Sequence, residues 1–310
     1  MTRERLAPLR IFVTGATGYL GSAIAARLAR DGHDVQGMAR TPEAARVLEA
    51  SGVRPYLGDL SDSSTLLVPL KNCDAVVHAA LDPRDRAGAD RRLLDAVRIA
   101  ALDGRVRRFL YTSGVWVHGD TGGAIADETS PLAAPELVRW RPAHENLALD
   151  LAEHEVHVAV FRPGMVYGER RGTFGEWFDA AKADGRFIYP GDGEQHWSMI
   201  HRDDVAEAYR LALETMQGGE RFLLVDETRL TVRELADAVA RVTGAEAVAS
   251  GRDAAPGNDP PTQACMVMDQ RFTAARARRK LSWRPSHTSF IQEAALLLRE
   301  WRAAQEPTVA

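Results

Sequence analysis

Hydrophobic positions along this chain switch between a strand pattern and a helix pattern. Short apolar runs occupy residues 10–14, 33–40, 53–57, 74–80, 107–113 and 156–161. Between them, apolar residues recur at helical spacing over 22–30, 41–51, about 61–71, 84–102 and 136–154. The fourth run, Asp74-Ala75-Val76-Val77-His78-Ala79-Ala80, is apolar on both faces, as a strand covered on both sides must be. Strands alternating with helices predict an α/β fold with a doubly wound parallel sheet and right-handed crossovers. Further on, a short strand is expected at 196–200, a strand at 223–226 and a helix at 231–243. The Pro/Gly-rich stretch 254–263 reads as a mobile loop and 307–310 as a tail. Residues 114–135 form a long loop, the kind that is usually functional in a compact domain.

Composition narrows the picture. The chain has 310 residues, 45% of them hydrophobic, enough for one large α/β domain or a domain with a smaller lobe. A net charge of −4 with mixed signs gives no basic footprint for nucleic acid. The run 276–280 reads as one solvated helix face. Two cysteines, Cys73 and Cys265, make neither a disulfide framework nor a metal pattern, and no metal is expected. Residues 1–9 are polar, and no run of 18 apolar residues exists. The expectation is a soluble, cytoplasmic protein with a small-molecule partner, no nucleic acid and no membrane; a homodimer stays open.

The first strand ends in Thr14-Gly15-Ala16-Thr17-Gly18-Tyr19-Leu20-Gly21. Gly15 would permit the turn, Gly18 would let backbone approach a pyrophosphate, and Gly21 would let the helix pack close. The helix start then offers free N–H groups and a positive dipole end to phosphate. The second strand ends in Arg40 with no acid beside it. A guanidinium there suits a 2′-phosphate, so NADP(H) is favoured, with NAD as the alternative.

The loop resembles the TGxxGxxG turn of extended short-chain dehydrogenases/reductases, the epimerase/dehydratase-like branch. Later segments carry the same resemblance: Gly58-Asp59-Leu60, His78-Ala79-Ala80, Arg162-Pro163-Gly164-Met165-Val166-Tyr167-Gly168, His201-Arg202-Asp203-Asp204-Val205-Ala206 and Leu281-Ser282-Trp283-Arg284-Pro285. The resemblance implies a Rossmann domain over 1–168. It makes 169–310 mainly a substrate lobe, with some segments returning to the core. It implies dinucleotide contacts from Gly15, Thr17, Gly18, Tyr19, Leu20, Arg40, Asp59, Leu60, Ala79, Ala80, Thr112, His144, Arg162, Pro163 and Gly164. Asp59 would meet the adenine amino group, or else cap the following helix. Asp203 or Asp204 reads as a helix N-terminal acid rather than a catalyst.

The family's catalyst is a Ser or Thr after the fifth strand, with a Tyr and a Lys four residues apart on one helix face. Here Val117-His118-Gly119 aligns with the family's VYG and puts Gly114 at the Ser/Thr position, with Thr112 and Ser113 just before it. Trp140 stands at the Tyr position and His144 at the Lys position. The spacing survives while the residue types change. An indole N–H has no useful acidity; His144 could carry a proton near neutral pH or hydrogen-bond the ribose. Ser113, Trp140 and His144 are the catalytic candidates. Gly114, Val115, Trp140, Met165, Trp177 and Trp197 are the expected substrate walls, suited with Phe178 to a flat, apolar molecule. The reading is an NADP(H)-dependent oxidoreductase with a non-standard site, transferring hydride to or from a small organic molecule. A catalytically silent dinucleotide sensor and a nucleotide-sugar epimerase or dehydratase are the alternatives.

Overall fold

A computed structural model describes residues 7–169, 171–251 and 259–305. Seven parallel strands form the central sheet: β1 (Arg10–Thr14), β2 (Asp34–Ala39), β3 (Arg54–Leu57), β4 (Ala75–His78), β5 (Arg108–Thr112), β6 (His157–Pro163) and β7 (Gly219–Leu224). Their order across the sheet is β7-β6-β5-β4-β1-β2-β3. The order reverses beside β1, so the crevice at the carboxyl ends of β1 and β4 is where such sheets bind ligands.

Pleating decides which core each side chain joins. Ile11 and Val13 of β1 pack on the face of α1 (Tyr19–Arg30), α2 (Pro42–Ala50) and α7 (Arg202–Thr215). Phe12 packs on the opposite face with α3 (Ser64–Leu70), α4 (Arg86–Leu102) and α5 (Arg141–Leu149). β4 is buried along its whole length, as its apolar sequence requires.

Beyond β6 the chain builds a second core. α6 (Gly172–Asp184), α8 (Val232–Thr243) and α11 (Phe290–Ala303) enclose Phe174, Trp177, Phe178, Phe187, Trp197 and Trp301, with a parallel strand pair at 186–189 and 246–249. β7 then rejoins the main sheet beside β6. The buried Asp204 at the start of α7 accepts hydrogen bonds from Ser286 and from the backbone N–H of His287. Its own carbonyl accepts from the Trp283 indole. It is a structural fastener between α7 and the segment before α11.

Two expectations need correction. The helix read over 136–154 is three pieces: single 3-10 turns at Glu136–Val138 and Asp150–His154 flank α5. Pro142 in the first turn of α5 lacks the N–H an uninterrupted helix would need there. The stretch 254–263 is not all loop: Pro260–Met266 forms α9, with Asp259 capping the N–H of Thr262. α10 (Ala275–Lys280) carries the basic run. Residues 254–258 and the tail 307–310 lie outside the described residues.

Candidate functional site

The glycine loop divides its labour. Gly15 has φ +73°, and a Cβ there would lie 2.6 Å from the backbone of Ala79 and Ala80. A Cβ on Gly21 would lie 2.1 Å from the Gly15 carbonyl. These two glycines let β1, α1 and the end of β4 touch. Gly18 differs: its added Cβ would meet nothing within 4 Å except Gly15 O at 3.1 Å. No side chain caps α1 and no acid lies in its first turn, so its leading N–H groups stay available to an anion. The cradle fits a pyrophosphate.

A cavity of about 140 Å³ continues from this loop, lined by Gly15, Thr17, Gly18, Arg40, Asp59, Leu60, Ala79 and Ala80. Arg40 is exposed at the rim, one residue past β2. Asp59 accepts from the Ser61 backbone N–H at 2.8 Å, and this bond above all holds its carboxyl below the usual range. Tyr19 reaches elsewhere, donating its phenol to the Gly168 carbonyl at 2.6 Å, and Leu20 packs against the core.

A second cavity, about 440 Å³, opens between the sheet and the C-terminal lobe. Ser113, Gly114, Val115, Trp140, Pro163, Gly164 and Met165 line it, with Trp116, Arg86 and Arg141. Thr262 and Met266 close one side, so α9 forms part of the wall. A Cβ on Gly164 would lie 2.2 Å from Ser198 O, which fixes how closely this segment crosses its neighbour. A Cβ on Gly114 would meet nothing. Trp177 and Trp197, expected as walls, are only 5% and 2% exposed and belong to the aromatic core of the lobe. Three bulky rings on α6 and its neighbours read alike in sequence; packing, not composition, decides which face inward.

Several hydroxyl and charged candidates are already engaged. Ser113 donates to Glu145 Oε1 at 2.5 Å, and Thr112 Oγ1 pairs with the Tyr209 phenol at 2.6 Å. Arg162 is 1% exposed and points away from the cleft into Glu145, which also receives Arg221. Its other arm donates to His118 Nε2 at 2.9 Å. An acceptor nitrogen in that position means a neutral ring, and burial together with the Arg162 charge lowers the His118 pKa to about 4. His201 caps α7 and stacks on His287.

His144 sits otherwise. Its Nδ1 lies 2.7 Å from Asp90 Oδ2, and its ring stands edge-on to Trp140 at 4.9 Å. Asp90 is 3% exposed and also receives His78 Nε2 at 2.9 Å and the Tyr111 phenol at 3.0 Å. Burial alone would raise its pKa, but the bonds from His144 and His78 outweigh it and hold the carboxyl well below the usual range. A carboxylate only accepts, so His144 carries its proton on Nδ1 and His78 on Nε2. Nε2 of neutral His144 is therefore the lone-pair nitrogen, and it has no partner among the described residues. His78 Nδ1 pairs with Thr14 Oγ1 at 2.7 Å, extending the chain of bonds to the end of β1. Asp90 escaped the sequence reading. The available signal was an acid on the apolar stripe of α4, in register with Leu93, Leu94 and Val97.

A switch-point crevice, a phosphate cradle at a helix start and an adjoining cavity define a dinucleotide-binding Rossmann protein. The chain belongs to the NAD dependent epimerase/dehydratase family, which it matches over residues 11–224. An uncharacterized Schizosaccharomyces pombe protein is 29% identical over 93% of this chain and 98% of its own. A 4-hydroxy-2-methyl-3-oxo-4-farnesyl-3,4-dihydroquinoline-1-oxide ketoreductase of Stigmatella aurantiaca is 29% identical over 77% and 75%. The UDP-glucose 4-epimerase of Thermotoga maritima, solved with UDP-glucose, superposes with a TM-score of 0.82 at 20% identity, covering 96% of this chain and 100% of that one. Sequence relatives include the ketoreductase and a UDP-glucose 4-epimerase of Mycolicibacterium smegmatis, 28% identical over 89% of this chain and 94% of its own. Among the described residues, no helix is long and apolar enough to cross a membrane.

Proposed function

We propose that this protein is an NADP(H)-dependent oxidoreductase acting on a small organic molecule, with His144 as the protein's proton-exchanging group. The observation that carries this reading is the Asp90–His144 pair, which fixes the tautomer and leaves Nε2 unpartnered at the corner where the family places its catalytic pair. The bound dinucleotide would supply or accept hydride. Gly18 and the start of α1 would hold its pyrophosphate, and Arg40 would meet a 2′-phosphate. Asp90 orients His144, as a buried carboxylate orients the imidazole in hydrolase triads. The ketoreductase relative supports carbonyl reduction.

The test follows oxidation of NADPH against ketones, 3-oxo acids and imines. His144→Ala is expected to lower turnover about 10²–10⁴-fold, the usual worth of a positioned acid or base. Calorimetry is expected to give roughly ten- to a hundredfold preference for NADP(H) over NAD(H), the worth of a charge-assisted pair, lost in Arg40→Ala. Equal cofactor affinities would remove the Arg40 assignment. Tight dinucleotide binding with no transfer to any compound would favour a sensor, the reading that the replaced Ser/Thr and Tyr positions support.

A further inference from the structure

We infer that the 440 Å³ cavity recognises a carboxylate on its substrate, through Arg86 and Arg141, while an apolar body lies against the aromatic and aliphatic wall. This rests on the oxidoreductase reading of the same cavity. Both guanidinium groups line it, half-buried. Neither forms a salt bridge among the described residues, although the Arg141 charge is felt by buried Asp90. Arg86 makes no hydrogen bond or ion pair among the described residues; exposed Asp259 senses its charge without pairing. Arg141 spends one N–H on the Thr112 carbonyl at 2.9 Å and stacks on Trp140, its guanidinium carbon 4.6 Å from the ring centroid. Its remaining donors are open and its orientation is fixed.

Neighbouring arginines show the contrast. On α4, Arg91 pairs with Asp95 and Arg92 with Asp85. Arg162, just behind the cavity, is neutralised by Glu145. Arg98, further along α4 and away from the cavity, has no ion pair either, but of the arginines on the cavity wall neither forms a salt bridge among the described residues. Each is also the first residue of its helix, α4 and α5, where the helix dipole disfavours a cation, and neither first turn contains an acid. Asp85 caps α4 through the Gly88 N–H and pairs with Arg92 rather than Arg86, while α5 has no side-chain cap at all. Among the described residues Glu176 of α6 is the single acid on the wall, so two cations leave an excess positive charge. A planar guanidinium binds a carboxylate through two parallel bonds, better than it binds a neutral amide. Trp116, Met165 and Met266 supply the apolar remainder.

The experiment measures binding, not turnover. Full-length protein saturated with NADP⁺ is titrated with matched pairs: trans-cinnamate and cinnamamide, 4-phenylbutyrate and its amide, octanoate and octanamide. At least one acid is expected to bind ten times tighter than its amide. Arg86→Gln and Arg141→Gln should each erode that preference several-fold and together erase it, with NADP⁺ affinity retained. If every amide binds as well as its acid, or the preference survives in the double variant, the carboxylate assignment is overturned. Acid preference in a protein that never oxidises NADPH would instead count against hydride transfer alone and leave the assignment standing. The same titrations without dinucleotide show whether the subsite is independent of the cofactor.

Discussion

At the scale of single residues, the three glycines of the first turn carry different duties. Gly21 faces backbone at 2.1 Å, so Gly21→Ala forces the helix off the strand and should cost about 1–3 kcal/mol, read as a lowered denaturation midpoint. A Cβ on Gly18 meets only the Gly15 carbonyl at 3.1 Å, a milder clash than at Gly21, so Gly18→Val should lower the midpoint less than Gly21→Ala and abolish dinucleotide binding. If Gly18→Val binds normally, the loop is only a turn. Asp90→Asn tests the proton corner. An amide must donate from one side, so it has to disrupt the bond to His144 or to His78. Turnover should fall by about 10²–10⁴, the usual worth of a positioned acid or base, with dinucleotide affinity little changed. Alignment with the family's motifs singled out Gly114, Trp140 and His144; the first two line the large cavity and His144 packs edge-on against Trp140. Their partners were not legible in the sequence: Asp90 is 54 residues from His144 in sequence, and nothing local marks the contact. Arg162 shows the opposite failure, a motif residue whose side chain turns inward to Glu145.

At the scale of elements, strands were easier to read than helix ends. Parallel strands are buried on both faces and stand out as apolar runs. α9 was missed because Pro260 and Pro261 suggest a loop, yet a proline in the first turn has no N–H to lose. Asp259 supplies the cap that completes it. Asp259→Ala should therefore loosen the start of α9, visible as faster amide exchange over 262–266. Unchanged exchange there would mean that α9 is held by its wall contacts rather than by its cap. α5 was read too long because its apolar spacing continues into the 3-10 turns on either side.

At the scale of the whole molecule, the alternating pattern dictated the doubly wound sheet. The second core was less legible, since α6 and the strand pair at 186–189 and 246–249 form by contacts distant in sequence. One buried acid should leave a mark on global stability. Asp226 follows β7; its Oδ1 accepts from Thr228, while Oδ2 is buried without a partner among the described residues. Burial raises its pKa to about 6. The folded state thus holds this proton more tightly than the unfolded chain, whose Asp titrates near 3.9. The associated stability is complete below about pH 4 and is lost as pH rises through about 6, up to roughly 3 kcal/mol for a shift of about two units. Asp226→Asn keeps the accepting oxygen and removes the charge. Its melting temperature should match the parent at pH 4 and exceed it at pH 7.5; an equal difference at both values would exclude the ionisation as the cause.

The tryptophans divide cleanly by location. Trp177, Trp197, Trp283 and Trp301 are at most 5% exposed and locked in cores, whereas Trp116 and Trp140 face the large cavity. Arg141 already rests on the Trp140 ring, so anything that draws that cation away changes the indole's electronic surroundings. The protein therefore carries its own optical gauge of occupancy. Its ultraviolet emission consists of a constant background and a responsive fraction from two rings, and replacing Trp140 by Phe would show how much of the response comes from the cavity wall.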